Sequence, residues 1–136
     1  MEFTILGKVV AKGRPRFTRQ GHTYTPKRTR DYEKLVKLTA MKHFKKPLTE
    51  ALRVEITVCK TPPKSWSKKK KADAIAGVVK PTVRPDVDNY VKSILDGCDG
   101  VVFEDDKQIV ELVASKVYAE EDKAIVKIKE LLHESL

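Results

Sequence analysis

A chain of 136 residues, 40% hydrophobic and 35% charged, has room for one domain with a modest core and lies well away from disordered or fibrous compositions. Its formal net charge of +9 points to a polyanionic partner, most commonly nucleic acid, against the simpler alternative of a solvated lysine surface. That charge is divided: residues 1–80 hold 21 Lys or Arg against 6 Asp or Glu, whereas residues 81–136 hold 7 against 13, so a cationic surface surrounds or faces an anionic patch.

The opening "MEFTILGKVVAKGRPR" turns polar too soon for a secretory signal and reads as a strand over residues 3–10. "RFTRQGHTYT" follows as a hairpin with Gln20 and Gly21 at its turn. Thr25 and Pro26 form an N-cap and first-turn pair, after which Tyr32, Leu35, Val36, Thr39 and His43 recur at helical spacing up to Pro47. Leu52, Val54, Ile56 and Val58 alternate with Arg53, Glu55 and Thr57, the signature of a half-buried strand. Between Thr61 and Pro85 four prolines and the run Lys68–Lys71 leave an excursion with at most one short helix. Strands at about 108–118 and 123–131 complete the chain, the second marked by Val126 and Ile128 alternating with Lys127 and Lys129.

Strands and helices mix here without a regular βαβ alternation. The expected fold class is therefore α+β, a two-layer sandwich with a mixed sheet and packed helices, in a single compact domain over residues 1–136. No run is long enough to span a bilayer. Cys59 and Cys98 lack the partners of a zinc site and read as reduced thiols of a cytoplasmic protein, and His22, His43 and His133 form no constellation.

Carboxylates gather in "RPDVDNYVKSILDG" and "EDDKQIV". Pro85 holds the chain extended, and a helix is expected to start near Asp88, a carboxylate capping its free N–H groups and Gly97 and Gly100 ending it. Val91, Ile94 and Leu95 supply an apolar stripe, while Asp88, Lys92 and Asp96 share another face. Asp105 and Asp106 stand at the mouth of the next strand. If that strand runs beside the helix start, Asp86, Asp88 and Asp106 converge on one point. Carboxylates so placed repel until a proton or a cation relieves them, and an all-oxygen set suits Mg²⁺ or Mn²⁺ rather than zinc. A calcium loop is excluded, because Tyr90, Val91 and Gly97 stand where an Asp or Asn, a Gly and a Glu are required. Taken singly, these carboxylates read as a helix cap and surface ion pairs, but a cap needs only one of them.

"RPDVDNYVKSILDG" with "EDDKQIV" closely resembles the acidic core of the RusA-type Holliday-junction resolvases, D-x-D-N-x-x-K followed by a helix and D-D-x-Q-[VI]. The opening "GKVVAKGRPRFTRQGHTYTPKRTRDYE" is similar to the N-terminal box of bacterial and phage members. The resemblance implies a Mg²⁺-dependent endodeoxyribonuclease, with no nucleotide cofactor, that nicks a four-way DNA junction symmetrically as a homodimer. It matches the metal-binding aspartates to Asp86, Asp88 and Asp106, with Asp105 as an alternate ligand, and the catalytic lysine to Lys92. The segment "KTPPKSWSKKKKADAIAGVVKPT" departs from the compact form of the pattern, which bears on the DNA-contact surface rather than the chemistry.

A cluster of carboxylates repels DNA. Lys12, Arg14, Arg16, Arg19, Lys27, Arg28 and Arg30 are suited to offset it and grip phosphates, with Lys69 and Lys70 of the lysine run as further contacts. About six such contacts would give log K against log salt a slope near −5. Phe17, Tyr24 and Trp66 are expected to pack under the hairpin and loop rather than stack on bases. A two-fold dimer would match the two equivalent scissile positions of a four-way junction. Two other functions fit the residues: a non-catalytic DNA-binding protein, and a metal-dependent nuclease for flaps or other branched DNA.

Overall fold

A computed structural model describes residues 1–132; His133 lies outside them. The alternation of residues 52–58 builds the central strand, β4 (Ala51–Lys60), whose Leu52, Val54, Ile56 and Val58 are fully buried. Each such side chain contributes roughly 1.5–3 kcal/mol by leaving water. β6 (Lys123–Leu131) pairs antiparallel with β4 on one side and with β1 (Glu2–Leu6) on the other. β5 (Ile109–Tyr118) pairs parallel with β4, giving a mixed sheet in the order β1-β6-β4-β5 with β5 at its edge. β1 is shorter than the expected strand over 3–10, because Gly7 adopts φ +100 and turns the chain out of the sheet. Arg16–Phe17 (β2) and Thr23–Tyr24 (β3) form the expected hairpin, with Gly21 at φ +81 in its turn.

Two helices cover the sheet. α1 (Lys27–Met41) buries Thr29, Tyr32, Val36 and Ala40, a face rotated from the expected one, since Leu35 is 42% exposed. Pro26 occupies the N-cap position with no side-chain cap bond, and the helix stops at Met41 rather than running to Pro47. α2 (Lys68–Ile75) is the one short helix of the excursion, capped by the Ser67 hydroxyl accepting from the Lys70 N–H at 3.2 Å. α3 (Val87–Cys98) buries Tyr90, Val91, Ile94 and Cys98 against α1 and the sheet. Gly97 does not end this helix. It lies inside α3, where a Cβ would stand 2.6 Å from Val36 Cβ and 2.8 Å from the Glu33 carbonyl, so it is a point of close approach between α1 and α3. Gly100, at φ +80, makes the turn that follows.

These elements form one core and an α+β fold. Within the mixed sheet, β4, α3 and β5 make one βαβ crossover, which a sequence reading without regular alternation did not anticipate. Parallel strands need such a return, because the chain must come back to the same end before entering the second strand. No helix among the described residues is long and apolar enough to cross a membrane.

Candidate active site

The crossover decides where the acidic residues lie. α3 runs back against the direction of β4 and β5, so its first residues sit at the C-terminal ends of those strands. Hydrogen bonds mark the place. Lys116 Nζ, near the end of β5, donates to the carbonyls of Val83 and Pro85, the latter at 2.9 Å, and Lys60 Nζ, the last residue of β4, donates to the Arg84 carbonyl at 3.3 Å. Asp86 follows in extended conformation at the N-cap position of α3, yet its carboxylate makes no cap bond. The helix thus starts one residue before Asp88, and the expected carboxylate cap is absent. Both Asp86 and Asp88 are exposed, with Asp88 in the first turn, where the helix dipole favours negative charge.

Beside Asp86 opens a cleft of about 920 Å³. Lys8, Arg14, Arg16, Arg28, Lys60 and Arg84 stand on its walls, and among the described residues Asp86 is the sole carboxylate there. Lys60 is held below its ordinary pKa of 10.5 by partial burial first, then by the nearby charges of Lys116 and Lys8. An incoming phosphate would meet concentrated positive charge in this cleft.

Of the expected DNA contacts, Arg14, Arg16 and Arg28 are brought to this cleft. Lys12 lines it too, but its ammonium group is bound to Glu33 at 2.7 Å and Asp96 at 2.9 Å. Burial pulls its pKa down, the two carboxylates push it up, and the net direction is upward. Lys12 is a tie between α1 and α3, not a free phosphate contact. Lys27 pairs with Asp31 on the exposed face of α1, while Arg30 and Arg19 stay exposed outside the cleft. Lys69 and Lys70 lie on α2, Lys70 with its ammonium 4.0 Å from the centre of the Trp66 ring. Trp66 packs edge-on against Tyr118, as expected of a packing aromatic, whereas Phe17 is 72% exposed on the hairpin.

Lys92 turns away from Asp88. Its ammonium meets Asp96 at 3.3 Å, and Asp96 thereby joins Lys12 and Lys92. The body of α3 is fixed by bonds with no obvious sequence signal: the buried Ser93 hydroxyl donates to the Val10 carbonyl at 2.6 Å, and the Lys12 N–H donates to the Asn89 carbonyl at 2.8 Å. Thr29 Oγ accepts from the Gly13 N–H at 3.1 Å, fixing the turn toward Arg14.

Asp106 lies at the other end of the crossover. Asp105 and Gln108 form a capping box around the single 3₁₀ turn Asp106–Gln108, and Gln108 Nε2 donates to the carbonyls of Leu48 and Glu50 at 2.9 and 3.0 Å. The Asp105 carboxylate is occupied by the Lys107 N–H, which holds it below its ordinary pKa. That cap favours Asp106 over Asp105 as the carboxylate free to bind a cation. Asp106 does not converge with Asp86 and Asp88 within one chain. The two places are separated by the length of α3, about 20 Å at 1.5 Å per residue, and no group of three or more His, Cys, Asp or Glu among the described residues is placed to hold a metal ion. The carboxylate that Asp106 shares its surroundings with, beside its neighbour Asp105, is instead Asp99. Asp99 is raised above 3.8 by desolvation first, then by Asp105, Asp106 and Asp96.

The buried thiols take no part. Cys98 is pushed up to about 12 by burial and then by Asp99, and Cys59 is raised by burial against the opposing charge of Lys123. Neither forms the reactive thiolate at neutral pH.

A cationic cleft with a carboxylate on its wall, at the C-terminal ends of a βαβ unit, suits a partner rich in phosphodiesters. The family model described as Endodeoxyribonuclease RusA matches residues 7–129, and this chain belongs to that family. It is accordingly an enzyme of the endodeoxyribonuclease class, with DNA as its partner. It is also 39% identical over 137 residues, covering 96% of each chain, to "Uncharacterized protein YqaN" of Bacillus subtilis (strain 168).

Proposed function

We propose that this chain is a Mg²⁺-dependent nuclease that resolves four-way DNA junctions by paired symmetric nicks, working as a homodimer whose two copies complete each other's sites. The observation that carries the reading is the Asp86 carboxylate, set at a helix N-cap position without serving as a cap, on the wall of a cationic cleft. A carboxylate unspent on the fold, next to Asp88 and supplied with oxygen donors only, fits Mg²⁺, with Mn²⁺ as a substitute.

Asp86 and Asp88 would hold the ion from one chain and Asp106 from a second copy. The separation of Asp106 from that pair in a single chain supports this division. β5 supports it further: it is an edge strand with Val110, Leu112 and Val113 exposed at 63%, 47% and 45%, and an uncovered apolar edge calls for a partner. Antiparallel pairing of β5 with its copy across a two-fold axis sets the start of one strand, with Asp106, beside the end of the other, with Lys116 and Asp86.

The bound ion would lower the pKa of a coordinated water and offset charge building on the phosphoryl oxygens. Arg14, Arg16 and Arg28 bind the flanking phosphates and hold the scissile strand against the carboxylates. Lys92, one helical turn from Asp88, supplies positive charge to the reacting phosphate when it leaves Asp96.

Cleavage of a labelled mobile junction, a flap and a linear duplex with Mg²⁺ tests the proposal. Paired nicks in the junction are expected, lost by on the order of 10²- to 10³-fold or more in Asp88→Asn, with binding retained. Binding without any nick under Mg²⁺ or Mn²⁺ would favour a non-catalytic binding protein, and preferential flap cutting a different branched substrate.

A further inference from the structure

We infer that Lys116 and Lys60 are positioning residues for the metal-binding pair, holding the backbone of residues 83–85 so that Asp86 and Asp88 are preset at the cleft, an inference that rests on reading those aspartates as metal ligands. The segment that delivers Asp86 has little else to fix it. Val83 and Arg84 are exposed, and Pro85 has no N–H to donate. Among the described residues, the carbonyls of Val83, Arg84 and Pro85 accept hydrogen bonds from these two ammonium groups alone.

The lysines are placed where an apolar residue is the ordinary choice. Lys116 pairs with Val58 in the parallel register, on the sheet face that Val58 buries beneath the helices, and Lys60 continues the row of Val54, Ile56 and Val58. Setting two partly buried ammonium groups side by side is unfavourable. It is compensated here because Lys116 directs two of its three N–H donors at carbonyls. The body of α3 is anchored separately, through Ser93 and Asn89. The lysines therefore govern the approach to the helix, where Asp86 sits, and not the helix as a whole. Ligand carboxylates depend on such outer bonds, whose loss weakens metal binding by about 10- to 100-fold.

The test measures Mn²⁺ binding from the loss of the free-ion paramagnetic resonance signal, together with amide hydrogen exchange and junction affinity without metal. It compares the parent with Lys116→Met, Lys116→Arg, Lys60→Met and Lys8→Met. Lys116→Met is expected to weaken Mn²⁺ binding by about tenfold with metal-free junction affinity within about twofold of the parent, and Lys60→Met to weaken Mn²⁺ binding by less while also lowering junction affinity, since Lys60 stands on the cleft wall. Exchange at Asn89 and Tyr90, whose N–H groups donate to the Asp86 carbonyl, accelerates in both. Lys116→Arg, whose guanidinium offers paired donors to the same carbonyls, recovers most of the loss. Lys8→Met, a change in the same cleft that touches none of these carbonyls, lowers junction affinity and leaves Mn²⁺ binding intact. Mn²⁺ binding by Lys116→Met equal to the parent's overturns the inference alone, as does a loss confined to junction affinity, which would make Lys116 a phosphate contact. A loss of both together in Lys116→Met and Lys116→Arg would make it a residue of general stability, also against the inference. A parent that binds no Mn²⁺ overturns the metal-site reading and this inference with it.

Discussion

At its N-terminal end α3 presents Asp86 and Asp88 beside a cleft walled by arginine and lysine, whereas beyond its C-terminal end Asp99 faces Asp105 and Asp106. The same side chain works differently in the two settings. At the first end the surrounding cations offset the carboxylates in advance, so a phosphate can approach. At the second, the carboxylates burden one another, and Asp99 is raised above its ordinary pKa by desolvation and its acidic neighbours. One end is equipped to receive DNA, and the other has an excess of negative charge that a cation would relieve. Among the described residues neither end places three carboxylates so as to hold a metal ion, and the crossover that connects β4 to β5 keeps the two ends apart.

The sharpest way to break this comparison is to cripple the ends separately. Chains carrying Asp86→Asn and chains carrying Asp106→Asn should each be inactive alone. Mixed and allowed to exchange subunits, they should recover cleavage at about a quarter of all sites, because each heterodimer regains one intact site. A site built within single chains predicts no recovery at all, so single-turnover nicking of the mixture decides between them.

The contact that joins the two helices between these ends should be the most sensitive to added volume. Gly97→Ala forces a methyl toward Val36 and the Glu33 backbone, and a cost of about 2–3 kcal/mol is expected in urea unfolding, as for overpacked cores. Little change in midpoint would mean that α1 shifts freely relative to α3.

Bound and free cations of the cleft separate next. Lys12→Met, which strands Glu33 and leaves Asp96 with Lys92 alone, should cost about 1–2 kcal/mol of stability and leave the salt slope of DNA binding unchanged. Because the folded Lys12 has a raised pKa, its contribution is present at neutral pH and disappears as pH climbs above 10.5 through the folded value. Arg14→Ala should do the opposite, sparing stability and reducing the slope of log K against log salt by about 0.9.

The smallest effect belongs to the acidic end. With its folded pKa raised above 3.8, Asp99 favours folding fully below that value and loses this contribution as pH rises through the folded pKa. Asp99→Asn should therefore stabilise at pH 7, by less than about 0.5 kcal/mol after solvent screening, and the gain should vanish below pH 3.8. Thermal melts across pH 3–7 would show it.

Much of this architecture was legible in the chain itself. The inward row of β4, the strands β5 and β6, the hairpin, the short helix of the excursion and the apolar stripe of α3 all follow from local spacing, because burial selects apolar residues at the period of each element. The spaced Asp, Asn, Lys and Gln residues led to the family for a related reason, since their order survives whatever the fold does with them. The acidic residues and the basic segment were likewise visible as a division of charge along the sequence.

Tertiary structure decided the rest. Whether β4 and β5 pair parallel or antiparallel is a matter of non-local hydrogen bonding, and no residue in either strand announces it. That choice puts Asp106 at the opposite end of α3 from Asp86. Lys12 looked like its basic neighbours until the fold placed Glu33 and Asp96 around it. Gly97 resembled a helix stop because its small size serves either a turn or a close approach, and only Val36 on another helix distinguishes the two. Lys116 and Lys60 carried no signal, since a lysine in a strand says nothing about the carbonyls it meets. Sequence determines which groups are available and the local shape that holds them; which groups meet depends on contacts between segments far apart in the chain, and the chemistry of the site is set there.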